Sequence, residues 1–171
     1  KKAPAKTAPA QTKPERFEPA TNAAILKAPE NSSLKTLILK EQLDDATATK
    51  IVTNYPNLTS LDFQTIPELI PSSVIKILKG LKKLKYVGYP LDGEDKLNKL
   101  TNSSILLNYD PQVRRGSKWH KPTKITSELL GELQGVSGIS TSRLEIERDV
   151  KTEAQFTQIL GYKPERLTFE N

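Results

Sequence analysis

The sequence predicts an α/β fold in which strand–helix units stack into an irregular solenoid, with a parallel concave sheet and outer helices. Three observations carry this expectation. A six-residue phrase, apolar-x-x-apolar-x-apolar, recurs at Leu34–Leu39, Leu58–Phe63 and Leu84–Tyr89; it returns at Ser104–Tyr109, Thr141–Ile146 and Pro164–Phe169 with its first apolar residue replaced. Successive phrases start 24, 26, 20, 37 and 23 residues apart, which overlaps the period of one strand plus one helix in a stacked repeat. Each phrase alternates like a half-buried strand, and the segment behind it carries apolar residues at helical spacing.

Taken in order, residues 1–30 are rich in Lys, Ala and Pro and read as a disordered linker, or alternatively as a basic arm. The short Ala23–Lys27 stretch is an exception that could lay Ile25 and Leu26 over the first unit as a cap. Behind the first phrase, Asp44–Tyr55 places Ala48, Ile51, Val52 and Tyr55 along one side of a helix. Behind the second, Pro71 opens a helix carrying Val74, Ile77, Leu78 and Leu81, which Gly80 is expected to end. Asp92–Leu100 offers a short helix with Leu97 and Leu100. Thr123–Gln134 reads as a stronger one, with Ile125, Leu129, Leu130 and Leu133. Thr152–Leu160 supplies Phe156, Ile159 and Leu160, with Gly161 as the expected cap.

Short links between strands and helices favour parallel pairing with right-handed crossovers. A sheet covered on both faces would show continuous apolar strands. Here Lys35, Thr36, Thr59, Ser60, Asp62, Lys85, Asn108, Arg143 and Glu145 stand between the apolar positions, so one face is expected to be open to water.

These phrases, read as LKTLIL, NLTSLDF and LKGLKKLKYVGY, resemble leucine-rich-repeat proteins, in particular irregular bacterial ones and the ribonuclease-inhibitor-like type. The resemblance covers residues 31–171 and is densest over 34–89. It implies a concave sheet whose intervening side chains form the binding surface. The family pattern continues to an Asn or Cys that bonds backbone between coils. This chain has Gln42, Ile66, Asp92, Gln112 and Asp149 at those places, which implies irregular coils.

The net charge of +6 is uneven. Residues 1–30 carry six Lys or Arg against three Glu, and 110–124 carry five against Asp110, which leaves the rest nearly neutral. There are no cysteines, so disulfides, zinc–thiolate clusters and thiol nucleophiles are excluded. No apolar run approaches the length that spans a bilayer, so no membrane insertion by this segment is expected. The chain contains no Met and stops just after a strand phrase, which reads as a piece of a longer protein.

Two regions are candidates for partner binding. On the concave face, Lys35, Asp62, Tyr86, Asn108, Arg143 and Glu145 project between the core positions, running from basic through apolar to acidic. Its apolar centre, Tyr86 with Ile105 and Leu106, is a binding patch, or core if the fourth phrase slips by one residue. The second candidate is an inserted loop at 110–122, which places Arg114, Arg115, Lys118 and Trp119 together. Basic residues around an aromatic suit phosphate contact with base stacking, or docking on an acidic protein; the bland reading is a surface loop anchored by Trp119.

His120 has no second His, no Cys and no carboxylate at useful spacing, so no catalytic role is assigned. Asp44-Asp45 and Glu94-Asp95 read as helix starts rather than metal ligands. No cofactor motif is present. The expectation is a non-enzymatic protein-interaction module or scaffold; the alternative is a basic accessory protein on RNA or a ribonucleoprotein. One further echo, Lys13–Phe17 (KPERF) against Lys163–Leu167 (KPERL), fits either a decayed coil or chance, and nothing is built on it.

Overall fold

The computed structural model describes residue 4 and residues 13–19, 21–64, 70–88, 105–108, 123–136, 138–141 and 143–171. Strand β1 (Arg16–Phe17) lies inside the stretch expected to be a linker and pairs in parallel with β2 (Thr36–Leu39). Helix α1 (Asn22–Lys27) follows, with the Thr21 hydroxyl accepting from Ala24 N. Ile25 is fully buried, whereas Leu26 is 42% exposed, so only Ile25 caps the neighbouring unit. Polar bonds fix the same segment. Asn22 donates to Gln42 O at 2.7 Å, Asn31 donates to Pro14 O at 2.8 Å, and Lys35 N donates to Glu15 O at 2.8 Å. The linker reading is therefore corrected over residues 13–30. Two apolar anchors and a few backbone bonds are enough to hold a chain that composition alone makes look unstructured.

The remaining elements alternate. They are α2 (Asp45–Asn54), β3 (Ser60–Phe63), α3 (Ser72–Gly80), β4 (Tyr86–Gly88), β5 (Ile105–Asn108), β6 (Thr123–Ile125), α4 (Ser127–Glu132), β7 (Ile139–Thr141), β8 (Arg143–Ile146), α5 (Glu153–Gly161) and β9 (Arg166–Phe169). The expected helix at 92–100 lies outside the described residues. All pairing is parallel, in a six-stranded sheet ordered β1-β2-β3-β4-β5-β7 and a three-stranded sheet ordered β6-β8-β9. This is a mixed α/β architecture whose strands are added largely in chain order. Helix α1 packs on α2, α2 on α3, and α4 on α5. No helix among the described residues is long and apolar enough to cross a membrane.

Strand alternation builds the core. Leu37, Leu39, Leu61, Phe63, Val87, Leu107, Leu144 and Ile146 meet Ala48, Ile51, Val74, Ile77, Leu78, Leu129, Leu130 and Ile159 from the helices. Each fully buried Leu or Ile contributes about 1.5–3 kcal/mol. The helices are closed by local side chains. Asp44 accepts from Thr47 N, Thr126 accepts from Leu129 N, and Thr152 forms a reciprocal capping box with Gln155.

Three local expectations are corrected. Thr123–Ile125 forms a strand, not the first turn of a helix, because it pairs with Leu144–Ile146. Gly80 is the last residue of α3 rather than a left-handed cap. A Cβ there would stand 2.6 Å and 2.7 Å from the two γ-carbons of Val52, so the glycine permits close approach of α2 and α3. At the end of α5 the left-handed backbone is taken by Lys163 (φ 50°), with Tyr162 rather than Gly161 as the cap.

The ladder also locates the long interval in the repeat. Ile105 sits opposite Ile139, an offset of 34 residues, whereas Thr123 sits opposite Leu144, an offset of 21. Strands β7 and β8 are separated in sequence only by Ser142. Strands β5 and β6 therefore pair with successive parts of one stretch, and the difference of 34 and 21 leaves thirteen extra residues between them. That is the length of 110–122, a segment itself outside the described residues.

Candidate functional site

Register assigns side chains to the sheet face opposite the core. Arg16, Thr36, Ser60, Tyr86, Leu106 and Ser140 occupy one transverse row; Ile38, Asp62, Gly88 and Asn108 occupy the next. Leu107 pairs with Val87 and is buried in the core, while Ile105 packs against that core from a half-buried position. The fourth phrase therefore keeps the register read from the sequence. Leu106 falls in the Tyr86 row, but Ile105 belongs with the core and is removed from the proposed apolar patch.

The middle of this face is not open to water, which corrects the expectation of a solvated sheet surface. Ile38, Ser60, Asp62 and Tyr86 are 6%, 3%, 8% and 0% exposed. Asp62 is the chemically unusual member. Burial, the dominant cause, pushes its pKa up from 3.8 to about 6, while the Ser60 hydroxyl at 3.4 Å and the more distant Arg16 charge pull it down only in part. Ionised at neutral pH, this carboxylate is poorly compensated. Perturbed acids of this kind concentrate at functional sites. Here no neighbouring base or nucleophile among its described partners gives it a catalytic role, and it is an electrostatic feature of the face.

Toward the C-terminal end the face becomes accessible and charged. Lys124 stands opposite Glu145, which stands opposite Thr168, and Arg143 stands opposite Arg166. Lys124, Arg143, Glu145 and Thr168 are half-buried, and Arg166 is exposed. One position further along, Glu147 and Glu170 share a hydrogen bond that raises the pKa of Glu147 and lowers that of Glu170. Lys124 Nζ approaches Glu147 Oε1 at 3.6 Å, and Arg148 Nε lies 4.0 Å from Glu170 Oε2. The sector thus presents cations and anions side by side on a pleated surface whose strands are spaced about 4.8 Å apart.

The structure distributes the sequence candidates as follows. Lys35 precedes β2 and is half-buried at the N-terminal side. Asp62 and Tyr86 are brought together on adjacent strands but buried. Asn108 pairs with Gly88, and its side chain lies outside what is described. Arg143 and Glu145 share the accessible sector. Arg114, Arg115, Lys118 and Trp119 lie outside the described residues.

Sequence reasoning missed Arg16, which joins the face through β1 and forms an ion pair with Glu18. The KPERF/KPERL echo was the available signal, since those two segments lead into β1 and β9. It also missed Lys124 as a sheet residue, because its neighbours fit a helical pattern equally well. Among the described residues no group of three or more His, Cys, Asp or Glu could hold a metal ion. No protein-family model, no curated protein and no solved structure matches the chain.

Proposed function

We propose that the chain is an irregular leucine-rich-repeat solenoid that serves as a non-enzymatic protein-interaction module. Its binding surface is the accessible C-terminal sector of the sheet face. The observation that carries this reading is the row of Lys124, Glu145 and Thr168 beside Arg143 and Arg166, five side chains from three adjacent parallel strands. A preformed sheet orders these groups before any partner arrives. Mixed charge of this kind contributes orientation and association rate more than raw affinity.

Support for the repeat assignment comes from bonds between successive units. Asn22 precedes Gln42 by 20 residues, the same offset that sets Arg16 opposite Thr36, so it occupies the place where the family pattern calls for Asn. Its amide donates to Gln42 O at 2.7 Å and its Oδ1 accepts from Asp44 N at 3.4 Å. Further along, Ser73 donates to Leu43 O at 2.9 Å and Asp149 accepts from Ser127 N at 3.0 Å. Different residues thus do in each place what a regular Asn ladder does in one.

The test is capture of partners by the full chain and by the double variant Arg143→Glu/Arg166→Glu. Loss of the same captured proteins at unchanged Tm is expected; an unchanged set overturns the assignment. The RNA reading rests on the basic residues of the interrupting segment. It predicts affinity for single-stranded RNA that falls steeply with salt and drops further in Arg114→Ala/Arg115→Ala/Lys118→Ala.

A further inference from the structure

A pocket of about 210 Å³ opens at the N-terminal end, away from the sheet face just described. Pro14 and Phe17 of the β1 arm form one wall, Ala28 and Pro29 behind α1 another, and Leu34 and Tyr55 line the rest. It exists only because residues 13–30 fold back on the first strand–helix unit.

The polar groups around it are engaged, with one exception. Asn31 donates to Pro14 O at 2.8 Å and accepts from Ser33 N at 3.0 Å, and Lys13 Nζ donates to Glu30 O at 3.0 Å. The Tyr55 hydroxyl is buried and has no hydrogen-bond partner, in a residue only 1% exposed. A buried hydroxyl left alone is unfavourable, and native structures rarely keep one without a reason. The same burial raises the Tyr55 pKa, so the group stays a neutral O–H donor at physiological pH.

We infer that this pocket binds a small, neutral, flat apolar molecule carrying one hydrogen-bond acceptor, received by the Tyr55 hydroxyl. Size supports the class: a cavity of about 150 Å³ accommodates benzene, so 210 Å³ accepts a single ring bearing a short carbonyl substituent. Chemistry supports it as well, because an almost wholly apolar lining rejects charge and leaves one donor to orient the ligand. Phe17 and the two prolines provide flat faces on which a ring can lie.

The probes are acetophenone and ethylbenzene, of similar shape, with and without the carbonyl acceptor, titrated into the full chain and followed by NMR. Acetophenone is expected to bind more tightly than ethylbenzene and to shift signals of Phe17, Leu34 and Tyr55. Tyr55→Phe should weaken acetophenone by roughly 5- to 10-fold, leave ethylbenzene unchanged, and hold or raise the Tm of the free protein. Ala28→Leu, at an extended position (φ −71°, ψ 146°) open to any residue, should fill the pocket and abolish binding of both probes. Equal affinity for the two probes, no saturable binding of either, a lowered Tm in Tyr55→Phe, or acetophenone binding that survives Ala28→Leu would each overturn the inference.

Discussion

Asp62→Asn removes the least compensated charge in the described core while keeping the side chain's shape. Asp62 is 8% exposed, and its pKa rises from 3.8 to about 6 on folding, chiefly through burial. At ~1.4 kcal/mol per pH unit this amounts to about 3 kcal/mol. The sign follows from proton uptake. Between pH 3.8 and about 6 the folded state binds a proton that the unfolded chain has released, so stability falls as pH rises through that window. Below it the group is neutral in both states and contributes nothing; above it the full penalty applies. Asn carries no charge at either end, although its amide N–H groups add a cost of their own. Comparing two pH values cancels that cost. Urea denaturation of both proteins at pH 3.5 and pH 7.5 should show the stability of Asp62→Asn relative to the parent growing by about 3 kcal/mol between the two, at constant m-value. A relative stability that stays flat, or that falls toward pH 7.5, would mean the carboxylate has a strong partner and that its burial is not what shifts it.

Further perturbations test other parts of the fold. Ile25→Ala should cost about 2–5 kcal/mol in denaturant titration, because Ile25 is fully buried; removing residues 1–30 should lower Tm by about 4 °C or more, where a true linker would leave it unchanged. Gly80→Ala should destabilise by about 1–3 kcal/mol despite its better helix propensity, since its methyl meets Val52 at 2.6 Å. In a Val52→Ala background the same change should become neutral or stabilising by chemical denaturation, and continued destabilisation there would rule out the close-approach explanation.

The sequence made the strands and most helices legible because each phrase puts a leucine where two periodicities agree. Leu37 and Leu39 fit a strand, and Ala48 and Ile51 fit a helix, with nothing competing. The N-terminal unit was hidden because Pro14 and Pro19 bracket its strand and only Phe17 and Ile25 anchor it. Thr123–Ile125 misled because Ile125, Leu129 and Leu130 also fit a helical stripe, and only pairing with β8 decides otherwise. The candidate face was half legible. Alternation put Asp62 and Tyr86 on the correct side, yet alternation says nothing about what lies above a sheet, and both proved buried. The Tyr55 pocket could not be read at all, since its walls come from segments some 40 residues apart in the chain.

The register assigns thirteen residues, the length of 110–122, to an excursion from a strand row that β5 and β6 otherwise complete. Joining Tyr109 directly to Thr123 would restore a uniform 21-residue offset along that row. A scaffold that carries its binding sector on β6, β8 and β9 should tolerate this. Thermal unfolding of the 110–122 deletion should remain a single cooperative transition with Tm within a few degrees of the parent, and capture dependent on Arg143 and Arg166 should persist. Loss of cooperative unfolding, or of that capture, would show that the row and its charged sector depend on the excursion and that the proposed division of scaffold from loop is wrong.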